Sequence, residues 1–147
     1  MRTRLVPIIL VAFLAPACAT NPHHQMTVAS QVIASSLFAL QDGEEAAYAT
    51  RKCLTPAQTG CISEAAHRRF NEHLVVALTA GQTFNAAIRT WDHDRPIPEQ
   101  LAKLKGALLL LTTELAASYP DDLRVQLLAT VTATYDAILA VFAAAGQ

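Results

Sequence analysis

The sequence predicts an all-α protein, an up-down antiparallel bundle of four helices after a cleaved N-terminal signal, and three observations carry that expectation. Apolar residues recur at spacings of three and four through four separate stretches. Polar segments bearing proline or glycine divide those stretches, and none of them alternates with the period of a strand. With 52% apolar and 16% charged residues, few glycines and recurrent alanine and leucine, the composition suits packed helices and excludes general disorder. A chain of 147 residues fits one domain and is long enough to bury a self-sufficient core.

Residues 1–17 come first. Arg2 and Arg4 precede thirteen apolar or small residues, Leu5 to Ala17, in the order of a secretory signal: a charged start, a short apolar run and small residues at the exit. A membrane-spanning helix needs about 20 apolar residues to cross a core of about 30 Å, so this run is too short to serve as a span.

The stretch Leu14-Ala15-Pro16-Ala17-Cys18 resembles the lipobox of bacterial lipoprotein precursors. Leu14 stands one position ahead of the place where that family carries leucine. The resemblance covers about the first nineteen residues and implies three things: a diacylglyceryl group on the Cys18 sulfur, cleavage just before Cys18, and an acylated new amino terminus. Ala19, where some Gram-negative lipoproteins carry an inner-membrane retention aspartate, points to the outer membrane, facing the periplasm. Ordinary signal peptidase is the alternative, because Ala15-Pro16-Ala17 and Ala17-Cys18-Ala19 are both acceptable sites and the second would discard Cys18. The product would then be a soluble periplasmic or secreted protein.

Cysteine counting bears on the same point. The chain has Cys18, Cys53 and Cys61, and the last two flank the turn-rich segment LTPAQTG eight positions apart. A disulfide between Cys53 and Cys61 is expected in an oxidising compartment and leaves Cys18 as the odd residue, where a lipid attachment site belongs.

Residues 18–26 read as the attachment cysteine followed by a polar tether, ATNPHHQM, and residues 27–147 as a single helical bundle domain. The first helix is expected from Thr27, an N-cap residue, to about Lys52. Ile33, Leu37, Leu40, Glu44 and Ala47 trace one face of it, with Glu44 marking where the apolar character fades. The second helix starts near Pro56 or near Glu64. Its seam is Ala66, Phe70, Leu74, Ala77, Gly81, Phe84, Ile88 and Trp91, with Gly81 placed to admit a neighbouring backbone. The segment DHDRPIP ends it.

A third helix is expected from Pro98 to Ser118 on Leu101, Leu104, Leu108, Leu111 and Leu115, with Leu109 and Leu110 widening the apolar face. After Tyr119-Pro120, the carboxylates of Asp121 and Asp122 suit a helix start. The fourth helix then runs to about Ala144 with Leu128, Val131, Tyr135, Ile138 and Phe142 inward. Thr130 to Thr134 lower helix propensity there without breaking the period.

The formal charge is −1, with Arg2 and Arg4 in the leader. The longest basic clusters are the pairs Arg51-Lys52 and Arg68-Arg69, which do not make a nucleic-acid footprint. The best metal candidates are Glu64 and His67, an ExxH pair resembling half of the motif of ferritin-like di-iron bundles. That family needs two such motifs and further carboxylates, and no second motif occurs, so no metal or other cofactor is expected. His23-His24, Asp92-His93-Asp94 and His73 are read as tether, loop and surface residues. Glu44-Glu45 and Asp121-Asp122 point about 100° apart in a helix and are read as surface charge. No nucleophile-base pair, G-x-S-x-G or phosphate loop occurs, so no catalytic residues are assigned.

The sequence therefore leads to a membrane-tethered, non-enzymatic envelope lipoprotein acting through contact with another envelope protein or with itself. The alternative is a soluble exported module that holds a metal or small ligand between helices.

Overall fold

The computed structural model describes residues 22–55, 58–91 and 99–144. Four helices, α1 (Pro22–Arg51), α2 (Glu64–Ile88), α3 (Gln100–Ser118) and α4 (Asp121–Ala144), make up almost all of them. Each helix packs on its two neighbours, α1 on α2 and α4, α3 on α2 and α4, closing a four-membered ring around one core.

Side-chain contacts fix the directions. His23, at the start of α1, donates from Nε2 to the carbonyl of Ile88 at the end of α2, at 3.0 Å. Arg51, the last residue of α1, pairs with Asp122 in the first turn of α4 at 2.7 Å. Arg69, early in α2, reaches Glu114 and Ser118 at the end of α3. Lys105, early in α3, lies 5.8 Å over the ring of Tyr135 in α4. Neighbours thus run in opposite directions, the up-down arrangement that short connections favour. The bundle has a leader pole, where α1 begins, and a stapled pole, where α1 meets α2.

The staple is a disulfide between Cys53 and Cys61, with Cα atoms 5.1 Å apart. Backbone bonds from Cys53 N to Ile62 O and from Ile62 N to Arg51 O, at 2.9 and 2.8 Å, draw the same loop together. Gly60 turns the chain at φ 72°, in the region open to glycine without a Cβ penalty. Fully buried Ile62 pins the loop to the core. The next residue, Ser63, caps α2 by accepting from the Ala66 N–H at 3.1 Å, which settles its start at Glu64 rather than near Pro56.

Three expectations need correction. First, α1 starts at Pro22, not Thr27, so residues 22–26 of the expected tether are helical. Proline is preorganised for a first helical position, and Met26 is completely buried while His23 bonds to α2. Polar His23, His24 and Gln25 hid this, because the reason for the helix lies in the end of α2. Second, Leu109 and Leu110 do not join the core: they are 56% and 51% exposed, and Leu101, Leu104, Leu108, Leu111 and Leu115 already fill the inner stripe.

Third, α4 is rotated from the expected face. Leu123, Leu127, Val131, Thr134, Ile138 and Val141 point inward, leaving Leu128, Tyr135 and Phe142 half-buried at the edge. Thr134 is tolerated inside because its hydroxyl donates to the Thr130 carbonyl at 3.0 Å.

The seam of α2 is as expected, from Ala66 through Ile88, and Trp91 stays buried although the helix ends before it. Gly81 admits a side chain rather than a backbone: a Cβ there would lie 3.1 Å from Leu37 Cδ1 of α1. Phe70, Phe84, Leu37, Leu40 and Leu104 are among the fully buried side chains, each contributing about 1.5 to 3 kcal/mol of burial.

Candidate functional site

Polar side chains gather inside the bundle near the stapled pole. Glu44 sits on the inner stripe of α1, one turn after Leu40, and its exposure is 0%. The expectation that Glu44 is surface charge is therefore wrong. Glu44 and Glu45 do diverge as adjacent helical residues must, but Glu44 goes inward while Glu45 accepts from Gln41 outside.

A buried carboxylate needs donors, and two other elements supply them. The Tyr119 hydroxyl, from the link between α3 and α4, donates to Glu44 Oε1 at 2.6 Å. His67 of α2 places Nδ1 at 3.0 and 2.9 Å from the two carboxylate oxygens. Because the carboxylate only accepts, Nδ1 carries the proton. On the far side of the ring, the Asn71 side-chain nitrogen lies 3.2 Å from Nε2. Tyr48 stacks flat on His67, with centroids 3.8 Å apart and planes within 1°. One carboxylate thereby joins α1, α2 and the α3–α4 link, and its charge is held by shape as well as by hydrogen bonds.

Tyr119 is shaped by the same contact. Burial first, and then the hydrogen bond to Glu44, push its phenol far above the ordinary value of 10.0. It remains a neutral donor throughout the physiological range, packed against Phe70 at 5.7 Å between centroids.

A second cluster adjoins it. Arg69 grips Glu114 with two parallel bonds, Nε to Oε2 at 3.0 Å and Nη2 to Oε1 at 2.9 Å, and Nη2 also reaches Ser118 Oγ at 3.2 Å. Hydrogen bonding to Arg69 leads the effects that hold the Glu114 carboxyl below its usual value, against the opposing effect of burial. This fork-to-fork geometry ties α2 to α3 as Glu44 ties α1 to α2.

The residues singled out in the sequence fall as follows. Cys53 and Cys61 are bonded to each other, and Cys18 lies outside the described residues, as do Asp92-His93-Asp94. Glu64 stays at the exposed first turn of α2, while His67 turns its Nδ1 to Glu44 rather than serving an ExxH site. Among the described residues, no three His, Cys, Asp or Glu side chains converge on a common metal position. His73 is half-buried beside the Arg69–Glu114 pair rather than fully exposed. His23, read as tether, is part of α1.

Sequence reasoning missed Glu44, Tyr48, Asn71, Glu114 and Tyr119. One signal for Glu44 was available: it continues the Leu37, Leu40 register, and a carboxylate in that register requires an inward partner. Nothing local names the partner, since His67 and Tyr119 come from elsewhere in the chain.

No protein-family model, no curated protein and no solved structure matches this chain. Its chemistry is therefore read from its own residues. The cluster has the donors and acceptors of a structural clamp: Glu44 and Glu114 are each occupied by a donor from a neighbouring element, and among the described residues no serine, threonine or cysteine side chain bonds to the His67 ring.

Proposed function

We propose that this protein is a lipid-anchored envelope protein whose helical bundle acts by contact with another envelope protein or with a second copy, and that it is not an enzyme. The observation that carries the reading is the Cys53–Cys61 bond, which consumes two of the three cysteines and leaves Cys18, at the end of a signal-like leader, without a thiol partner in the chain. The lipobox-like stretch Leu14 to Cys18 supports the same assignment, and Ala19 favours the outer membrane.

The arrangement of the bundle is in keeping with that role. The anchor would enter at the leader pole. The stapled pole, with its crosslinked loop and interlocked carboxylates, lies at the opposite end of α1, a helix of 30 residues and thus about 45 Å long. The loop at that pole presents Leu54, 80% exposed, on a backbone already fixed by the disulfide. A rigid surface loses little conformational freedom when it meets a partner.

Cell fractionation tests the anchor. Wild-type protein is expected in the membrane fraction and labelled by radioactive fatty acid, while Cys18→Ser is expected to lose the label and the membrane association. Equal labelling or equal membrane association of the Cys18→Ser protein would refute the anchor.

A further inference from the structure

We propose that the leader pole of the bundle rests directly in the lipid headgroup layer, with the stapled pole held away from the membrane. This inference rests on the lipid-anchor reading of Cys18 and goes beyond it, since an anchored domain can equally stand off on a flexible stalk.

The start of α1 removes the stalk. Pro22 is the first helical residue, Met26 is fully buried in the core, and His23 is hydrogen bonded to the end of α2, so the bundle begins four positions after Cys18. Four residues of chain reach at most about 14 Å even when fully extended. The headgroup region on each face of a bilayer is itself several ångströms deep, about 40 to 45 Å of total thickness enclosing a core of about 30 Å. Crossing the headgroups, about 5 to 8 Å deep on each face, uses about half of that reach, so the start of α1 lies within about 6 to 9 Å of the headgroup surface.

Charge and apolarity are distributed to match. Pro22 to Gln41 contains no Lys, Arg, Asp or Glu, and Val125 to Ala144 contains only Asp136. In the sequence after Pro22, the stretches that build the stapled pole, 42–72 and 114–124, hold eight carboxylates against five Lys and Arg, whereas the remainder holds four of each. The acidic excess thus lies at the pole that an anionic lipid surface would repel. Near the leader pole, the last two turns of α4 expose Leu139 to 48% and leave Phe142 at the surface edge, so burying them removes apolar area from water. Among the described residues, α4 is the one helix long and apolar enough to cross a membrane, and about a third of that stretch is committed to the core.

Leu139 provides a reporter position. It lies in the last two turns of α4, at the leader pole, and is 48% exposed. Trp91, the single tryptophan of the chain, is buried in the core and out of a contact quencher's reach, so two proteins are made that both carry Trp91→Phe, one with Leu139→Trp and one with Leu54→Trp at the stapled pole. Each lipidated full-length protein, purified from membranes, is reconstituted into phosphatidylethanolamine and phosphatidylglycerol vesicles whose acyl chains carry bromine, a contact quencher.

Both proteins are expected to float with the vesicles, with quenching at position 139 at least about three-fold stronger than at position 54, because only the leader pole reaches the depth of about 5 to 10 Å at which interfacial segments lie. Should the Trp91→Phe proteins not fold, Leu139→Trp and Leu54→Trp in the wild-type chain read the same contrast, with Trp91 contributing equally to both. Flotation with position 139 quenched no more than position 54 overturns the resting pole and leaves the anchor standing. Failure of the wild-type protein to float overturns both.

Discussion

The two poles of the bundle are held together by different physics. At the leader pole the helices meet mainly through apolar packing, with neutral hydrogen bonds from His23 to the Ile88 carbonyl and from Ser30 Oγ to Asn85 Oδ1 across α1 and α2. At the stapled pole a disulfide, a fully buried carboxylate with two donors, and a forked Arg69–Glu114 pair link all four helices or their connections. Apolar packing is tolerant of small shifts, whereas a buried polar network must be fully satisfied or it destabilises the fold. The contrast gives the stapled pole a more fixed shape than the leader pole, which is what the proposed partner surface and the proposed lipid-facing surface would each need.

The comparison breaks most sharply at Glu44. Removing its side chain strands the Tyr119 hydroxyl and the His67 ring and opens a void, so Glu44→Ala is expected to cost about 3 kcal/mol in urea unfolding. His23→Ala, at the other pole, is expected to cost about 1 kcal/mol or less, the net worth of one part-buried hydrogen bond. Equal losses would show that the poles are not differently built.

The disulfide comes next. Cys53→Ser with Cys61→Ser frees a short loop, and the chain-entropy relation gives about 2.5 kcal/mol for that closure. The loss should appear as a lower urea midpoint, with amides at the start of α2 accelerating at least as much as core amides near Ile88. An unchanged midpoint would contradict a stabilising staple.

Acid and alkali sharpen the contrast further, because Glu114 and Tyr119, the shifted groups with buried partners, lie at the stapled pole, whereas Glu99 at the other pole is lowered only by an exposed contact with Lys103. The Glu114 carboxyl is held below its ordinary 4.5, so the stability it confers is complete above that pH and is lost as pH falls toward its folded value. Tyr119 is raised above 10.0, so its contribution is complete below pH 10 and declines as the unfolded phenol ionises at higher pH. Urea midpoints measured across pH should fall on both sides, and Glu114→Gln should flatten the acid limb.

The smallest expected effect is a gain. A Cβ at Gly106 of α3 meets no atom within 4 Å, so Gly106→Ala should stabilise the bundle by about 1 kcal/mol through helix propensity alone. Gly81→Ala, facing Leu37 at 3.1 Å, should recover less of that gain because the leucine methyl must move.

These residues also show how far the sequence could be read. The four helices were legible because apolar spacing is a local property, and the Cys53–Cys61 bond was legible because the two cysteines share one short loop. The start of α1 was not, since His23 and Gln25 look like tether until the end of α2 is beside them. Leu109 and Leu110 extended the apolar run of α3 without joining its inner stripe, because burial depends on which direction the neighbours occupy. Glu44 was hardest. Its environment is built by His67 and Tyr119, residues distant in sequence, and a carboxylate without visible donors reads as surface charge.

Whether Cys18 carries the proposed lipid decides whether the leader pole has a membrane to rest on, and mass spectrometry of the mature amino-terminal peptide from isolated membranes tests it directly. The expected spectrum is a peptide beginning at Cys18 with diacylglyceryl on sulfur and an acylated amino group. An unmodified terminus at Ala19 or Thr20 would contradict it.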